Sequence, residues 1–187
     1  MSAALTADGA RVATQGWIER VVVGLNLCPF AAHPLAKGRI KIAVTLTESL
    51  PELVQVLTQE MATLMSSDAT TLETTLLVHP HLLTDFLDYN DFLGFTEQLL
   101  LDFGLVGEVQ IASFHPQYQF AHLSPQAVEN YTNRSPYPML HLLREASVTK
   151  AVELYDDVEA IPARNEVRLR ELGLEAVRRL TAGATKG

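Results

Sequence analysis

Residues Arg134 to Glu145 read Arg-Ser-Pro-Tyr-Pro-Met-Leu-His-Leu-Leu-Arg-Glu. A serine before a proline is a frequent helix start: the serine oxygen caps free backbone N–H groups, and proline at the first helical position has no N–H to lose. The Met-Leu-His-Leu-Leu-Arg run is rich in helix-forming residues, so a helix is predicted over Pro138 to Ala146. On that reading Arg134 and Ser135, with Asn133 as a third donor, form a cradle for an anion. The N–H groups of a helix start and a guanidinium fork both match a phosphate or carboxylate. The competing reading is an Arg-Glu network that braces this helix against the rest of the chain.

Working outward, the preceding chain alternates helix and strand. Trp17, Ile18, Val21, Val22 and Leu25 repeat at helical spacing, so a helix is predicted from Thr14 to Leu27, with Gly24 inside it and Pro29 ending it. Residues 1–13 are expected to be a flexible lead-in. Arg39 to Thr45 alternates as a strand does. A capping box of Ser49 and Glu52 opens a helix that ends near Ser66. Thr74 to Val78 is a second strand, Thr84 to Phe103 a helix, and Val106 to Phe114 a third strand. After Phe114 the pattern breaks up: Pro116 to Pro138 holds four prolines, and Ser124-Pro125 is a second candidate helix start. Helices close the chain over Thr149 to Tyr155 and Arg164 to Thr181, with a frayed tail at 182–187. Strands joined by helices of this length imply crossover connections. The fold expected is a single α/β domain with a small, mostly parallel or ferredoxin-like sheet of three to four strands, flanked by helices and closed by a helical C-terminus.

Charge is segregated. Between Ile42 and Asn133 there are twelve acids and no Lys or Arg; all fourteen cations lie in the flanks. Nucleic acid needs clustered cations against its phosphates, so no nucleic-acid partner is expected. Arg39, Lys41 and Arg134, at the borders, are the cations expected to meet the acidic middle. That middle is either a solvated face or the docking surface of a non-catalytic interaction protein with a basic partner. No apolar run reaches the length of a membrane span, so no membrane is expected. The lone Cys28 allows no intrachain disulfide and the chain shows no secretory signal, which together point to the cytoplasm.

Three of the six histidines stand before proline: His33, His79 and His115. His79 and His115 also end predicted strands, where open α/β sheets bind ligands. An imidazole titrates near neutrality, so these two are the candidate general acids or bases; the bland reading is that a His-Pro step merely ends a strand. Asn26 and Cys28 lie in an unusual turn, and Tyr118 follows His115. With Asn133, Arg134 and Ser135 they are the candidate ligand-binding residues of a polar His/Arg pocket for a small anionic molecule, in an enzyme or a binding protein. Cys28 after a helix C-terminus sits where the dipole disfavours a thiolate. No metal-ligand spacing, phosphate loop or nucleophile elbow is present, and no motif names a cofactor.

Three segments carry a resemblance: Gly24 to Ala31 (Gly-Leu-Asn-Leu-Cys-Pro-Phe-Ala), Phe114 to Ala121 (Phe-His-Pro-Gln-Tyr-Gln-Phe-Ala) and Asn133 to Pro138 (Asn-Arg-Ser-Pro-Tyr-Pro). Together they resemble the domain of unknown function 1415 family over nearly the whole chain. The resemblance implies a single-domain bacterial protein and assigns no catalytic residue. The three segments are expected to meet in space.

Overall fold

The computed structural model describes residues 5–183. One four-stranded sheet lies between two helical layers. Strands β1 (Ile40–Val44), β2 (Thr74–Val78), β3 (Val109–Phe114) and β4 (Met139–Arg144) are ordered β1-β2-β4-β3. β1 pairs parallel with β2, and β4 pairs antiparallel with both β2 and β3. Three strands therefore run the same way, and β4 runs against them between β2 and β3.

β4 corrects the reading of the opening stretch: Met139 to Arg144 is a central strand, not a helix. Both its faces are buried. Leu140 and Leu142 point to one side, with Leu77 and the apolar faces of α3 (Leu50–Ser66) and α4 (Phe86–Asp102). Met139 points to the other, with Leu76, Val78, Phe114, Trp17 and Tyr131. A strand buried on both faces has no polar alternation, so its leucines read as helical.

The second face of the sheet is covered by helices from both chain ends. α1 (Ala7–Trp17) begins inside the stretch 1–13 expected as a flexible lead-in, of which residues 1–4 lie outside the described residues; Thr6 caps it by accepting from the Gly9 N–H at 3.1 Å. It runs into a π-helical turn, Ile18–Val23. A short α2 (Ala32–Ala36) follows. After β4 come α5 (Glu145–Glu153), α6 (Ile161–Leu172) and α7 (Leu174–Gly183). The last two were expected as one helix. Gly173, at φ +80° and ψ 152°, separates them in a conformation open essentially to glycine alone. The tail expected to fray over 182–187 begins inside α7, which runs to Gly183, and residues 184–187 lie outside the described residues.

The expected capping box is rearranged. Ser49 occupies the N-cap position, but its side chain makes no cap bond; Thr47 donates to Glu52 at 2.6 Å instead. Two of the three border cations pair with acids of the middle, Lys41 with Glu60 at 2.6 Å and Arg39 with Glu73 at 3.9 Å, while Arg134 donates to main-chain carbonyls instead. Among the described residues no helix is long and apolar enough to cross a membrane.

Candidate functional site

His79 and His115 do approach each other, although β4 separates the strands they follow. Tyr89 of α4 lies between them, its ring centroid 6.0 Å from His79 and 5.0 Å from His115. The Tyr89 hydroxyl donates to the Met139 carbonyl at 2.8 Å and accepts the Phe114 N–H at 3.1 Å, which fixes it in the core. Both imidazoles are fully buried. His79 Nδ1 lies 2.9 Å from the Leu82 carbonyl, a bond that only an N–H can make. His115 Nδ1 accepts the Gln117 N–H at 3.0 Å, so its Nε2 carries the proton and donates to the Leu83 carbonyl at 3.1 Å. Leu83, at φ +54°, is in the left-handed region. The two rings thus fasten the loop between β2 and α4. Burial holds His79 neutral, its pKa pushed down to about 4, with His115 a smaller contribution; burial also lowers that of His115.

The Arg134 segment carries no helix start, because an extended strand follows it. The Ser135 hydroxyl donates to the Tyr137 carbonyl at 2.7 Å and Ser135 is buried. Arg134 donates to the carbonyls of Tyr118 and Pro125 at 3.0 and 2.7 Å, and its guanidinium lies over the Tyr131 ring at 5.0 Å. Its own carbonyl accepts the Trp17 indole N–H at 3.1 Å. Asn133 donates to the Ser113 carbonyl at 3.1 Å, while its carbonyl accepts the His115 N–H at 3.2 Å. These groups knit the long loop 115–138 onto β3. The free N–H donors on which the anion cradle depended are not formed there. Tyr118 packs edge-on to Phe120 and tilted against Phe86. Asn26 is an exposed turn residue at φ +53°. So the second and third of the grouped segments are joined by hydrogen bonds; Leu25 and Leu27 of the first share an apolar cluster with Phe114 and Tyr137, and its Cys28, Phe30 and Ala31 line a cavity with Phe114.

That cavity, of about 290 Å³, lies on the second face of the sheet, between β2, β3 and β4 below and the Cys28 turn and α5 above. Its walls are mostly apolar: Trp17, Val22, Phe30, Leu76, Ala112 and Phe114 are among them. The π-helical turn shapes one wall. Its widened backbone lets the Val22 carbonyl accept from both Leu27 and Cys28, at 2.9 and 3.4 Å, which turns Cys28 toward the sheet. Burial raises the thiol pKa, against a smaller lowering by the N–H groups of Phe30 and Ala31, so Cys28 stays protonated at neutral pH.

His141, at the centre of β4, lies in the cavity floor with Thr74 of β2 and Gln110 of β3, and pairs across to Leu76 and Ala112. Thr74 fixes its tautomer. The Thr74 hydroxyl has one hydrogen, which it donates to the Leu142 carbonyl at 2.6 Å. At 2.7 Å it must then accept from His141, so Nε2 carries the imidazole proton. Nδ1 keeps a lone pair that, among the described residues, no protein group engages. Burial lowers the His141 pKa to about 4 and keeps the ring neutral. His141 was not among the expected site residues, since a helix reading places it one and a half turns into the wrong element. Its signal is visible only in the strand register, where Met139, His141 and Leu143 share a face.

The sequence profile of the family described as protein of unknown function (DUF1415) matches residues 10–179. The chain belongs to the DUF1415 family. The match spans both helical layers and all four strands, so the cavity of this DUF1415 chain lies within the family domain. No curated protein and no solved structure matches the chain. Among the described residues no group of three or more His, Cys, Asp or Glu is arranged to hold a metal ion.

Proposed function

We propose that this chain binds a small, largely apolar molecule in the cavity above β4, held by one hydrogen bond from a ligand hydroxyl or N–H to His141 Nδ1. The observation that carries this reading is an imidazole with one nitrogen locked by Thr74 and the other unengaged, in a mostly apolar chamber. Small-molecule sites have this composition: apolar walls and a few placed polar groups. A neutral ring with a pKa near 4 is an acceptor at pH 7 and a weak base. With Cys28 protonated beside it, the site favours binding over covalent chemistry. An anion is poorly matched, since Glu73 lines the cavity and Arg144, the cation of its lining, donates to the carbonyls of Leu64, Ser67 and Leu72.

The test compares phenol with toluene, which match in shape but differ in the donor. Phenol should bind the wild type about tenfold more tightly than toluene, the worth of one net hydrogen bond. Amide shifts should cluster at Ala112, His141 and Ser147. In His141→Leu the two should bind alike. If neither compound perturbs the cavity amides, the reading fails.

A further inference from the structure

The outer side of α4 is built to receive another helix. Leu87, Gly94 and Leu101 recur at seven-residue spacing and form one ridge facing away from the core. Leu87 is 71% exposed and Leu101 59%. Between them Gly94 leaves a notch: a Cβ built there meets no atom within 4 Å. Glycine in a helix interior costs about 1 kcal/mol relative to alanine, and nothing within the fold requires it at this position. Phe95, 45% exposed and stacked on Phe92, borders the ridge. The ridge is about 21 Å long, at ~1.5 Å per residue.

The flanks of this ridge are acidic. Asp88, Asp91, Glu97 and Asp102 are exposed, and among the described residues none of them forms an ion pair. No Lys or Arg lies between Ile42 and Asn133 to balance them.

We infer that α4 is a docking surface for a basic amphipathic helix of another protein, with a large apolar side chain seated over Gly94 and Lys or Arg beside the four acids. Apolar spots two heptads apart, with a small residue midway between them, match the way a helix lays its apolar face against another. Charge selects the occupant. A second copy docking α4 against α4 would set acid against acid, which disfavours the contact. This surface is on the α3–α4 side of the sheet, opposite the His141 cavity, so neither inference depends on the other.

The experiment uses the full chain, 15N-labelled, and three designed 18-residue peptides. One is a Leu/Lys amphipathic helix, one its Leu/Glu counterpart, and one a scrambled Leu/Lys sequence of equal charge without an apolar face. The Leu/Lys helix should shift the amides of Leu87, Gly94 and Leu101, and its binding should weaken at least tenfold between low and high salt. The other two peptides should leave α4 unshifted. Leu101→Ser should weaken binding about tenfold. Gly94→Ala should also weaken it while raising Tm by about 2–4 °C, because the added methyl fills the notch yet favours the helix. That opposite movement separates docking from folding. The inference is overturned if the shifts fall elsewhere, if the scrambled peptide shifts α4 equally, if either variant binds as the wild type does, or if the free chain self-associates through α4.

Discussion

At Arg134 the guanidinium donates to two main-chain carbonyls and lies over the Tyr131 ring, so the residue serves to pin a loop. Arg134→Ala should cost about 2 kcal/mol in urea unfolding, from lost charge-assisted bonds and cation–π contact. Arg134→Lys should recover less than half, because an ammonium cannot span both carbonyls. Phosphate should not shift the Tm of any of the three; a wild-type shift abolished by Arg134→Ala would restore the anion cradle. The imidazoles give a second prediction. His79 and His141 have folded pKa values of about 4, against about 6.5 unfolded. Between those values the unfolded chain takes protons that the folded chain refuses. Their contribution is therefore complete above about pH 6.5 and is lost as pH falls toward 4. Each imidazole adds up to about 1.4 kcal/mol per pH unit in that window. Urea titrations at pH 7, 6 and 5 should show this loss, with a shallower slope in His141→Leu. An equal slope would mean that His141 is solvated in the folded state. Arg134, Cys28, His79 and His115 could be singled out in the sequence because their chemistry is unusual at any position. Their partners are main-chain groups, and the sequence does not say which of these fold nearby.

Among the elements, those whose residue types suit the state they adopt were legible. β2 is found where its apolar run places it, and α3 and α4 begin and end within two residues of expectation. β4 was illegible because Met, Leu and Arg are helix formers, whereas β2, equally buried on both faces, carries the β-branched Thr74, Thr75 and Val78. The π-helical turn was hidden as well, since its sequence reads as ordinary helix. Gly24 is its one trace. A Cβ at Gly24 would lie 2.4 Å from the Arg20 carbonyl oxygen, closer than any side chain tolerates. Gly24→Ala should therefore cost about 2 kcal/mol or more, as backbone strain of this kind does. It should also move the Trp17 and Cys28 amides in the NMR spectrum. An unchanged Tm would show that the turn relaxes freely, and with it the cavity wall. The same substitution at Gly94 should have the opposite sign, because there the added methyl meets open space.

At the scale of the molecule, the sheet closes only when its last strand arrives. β2 and β3 never touch; β4 fills the slot between them. A chain ending at Pro138 has every earlier helix and strand, yet leaves both strands with an open edge. It should give a collapsed amide spectrum and aggregate, whereas ending the chain at Gly183 should preserve the native spectrum. A well-dispersed spectrum from the shorter chain would mean that β1, β2 and the helices fold without β4. Local pattern alone determined the α/β class, the first three strands with the helices between them, the acidic middle and the cations at its borders. Each depends on the residue types within one stretch. The tertiary structure alone decided the strand order, the burial of His79 and His115 as loop anchors, and the position of His141 beside Thr74. Those follow from the insertion of β4, and hydrogen bonding between strands sixty or more residues apart leaves no periodicity for a local pattern to show.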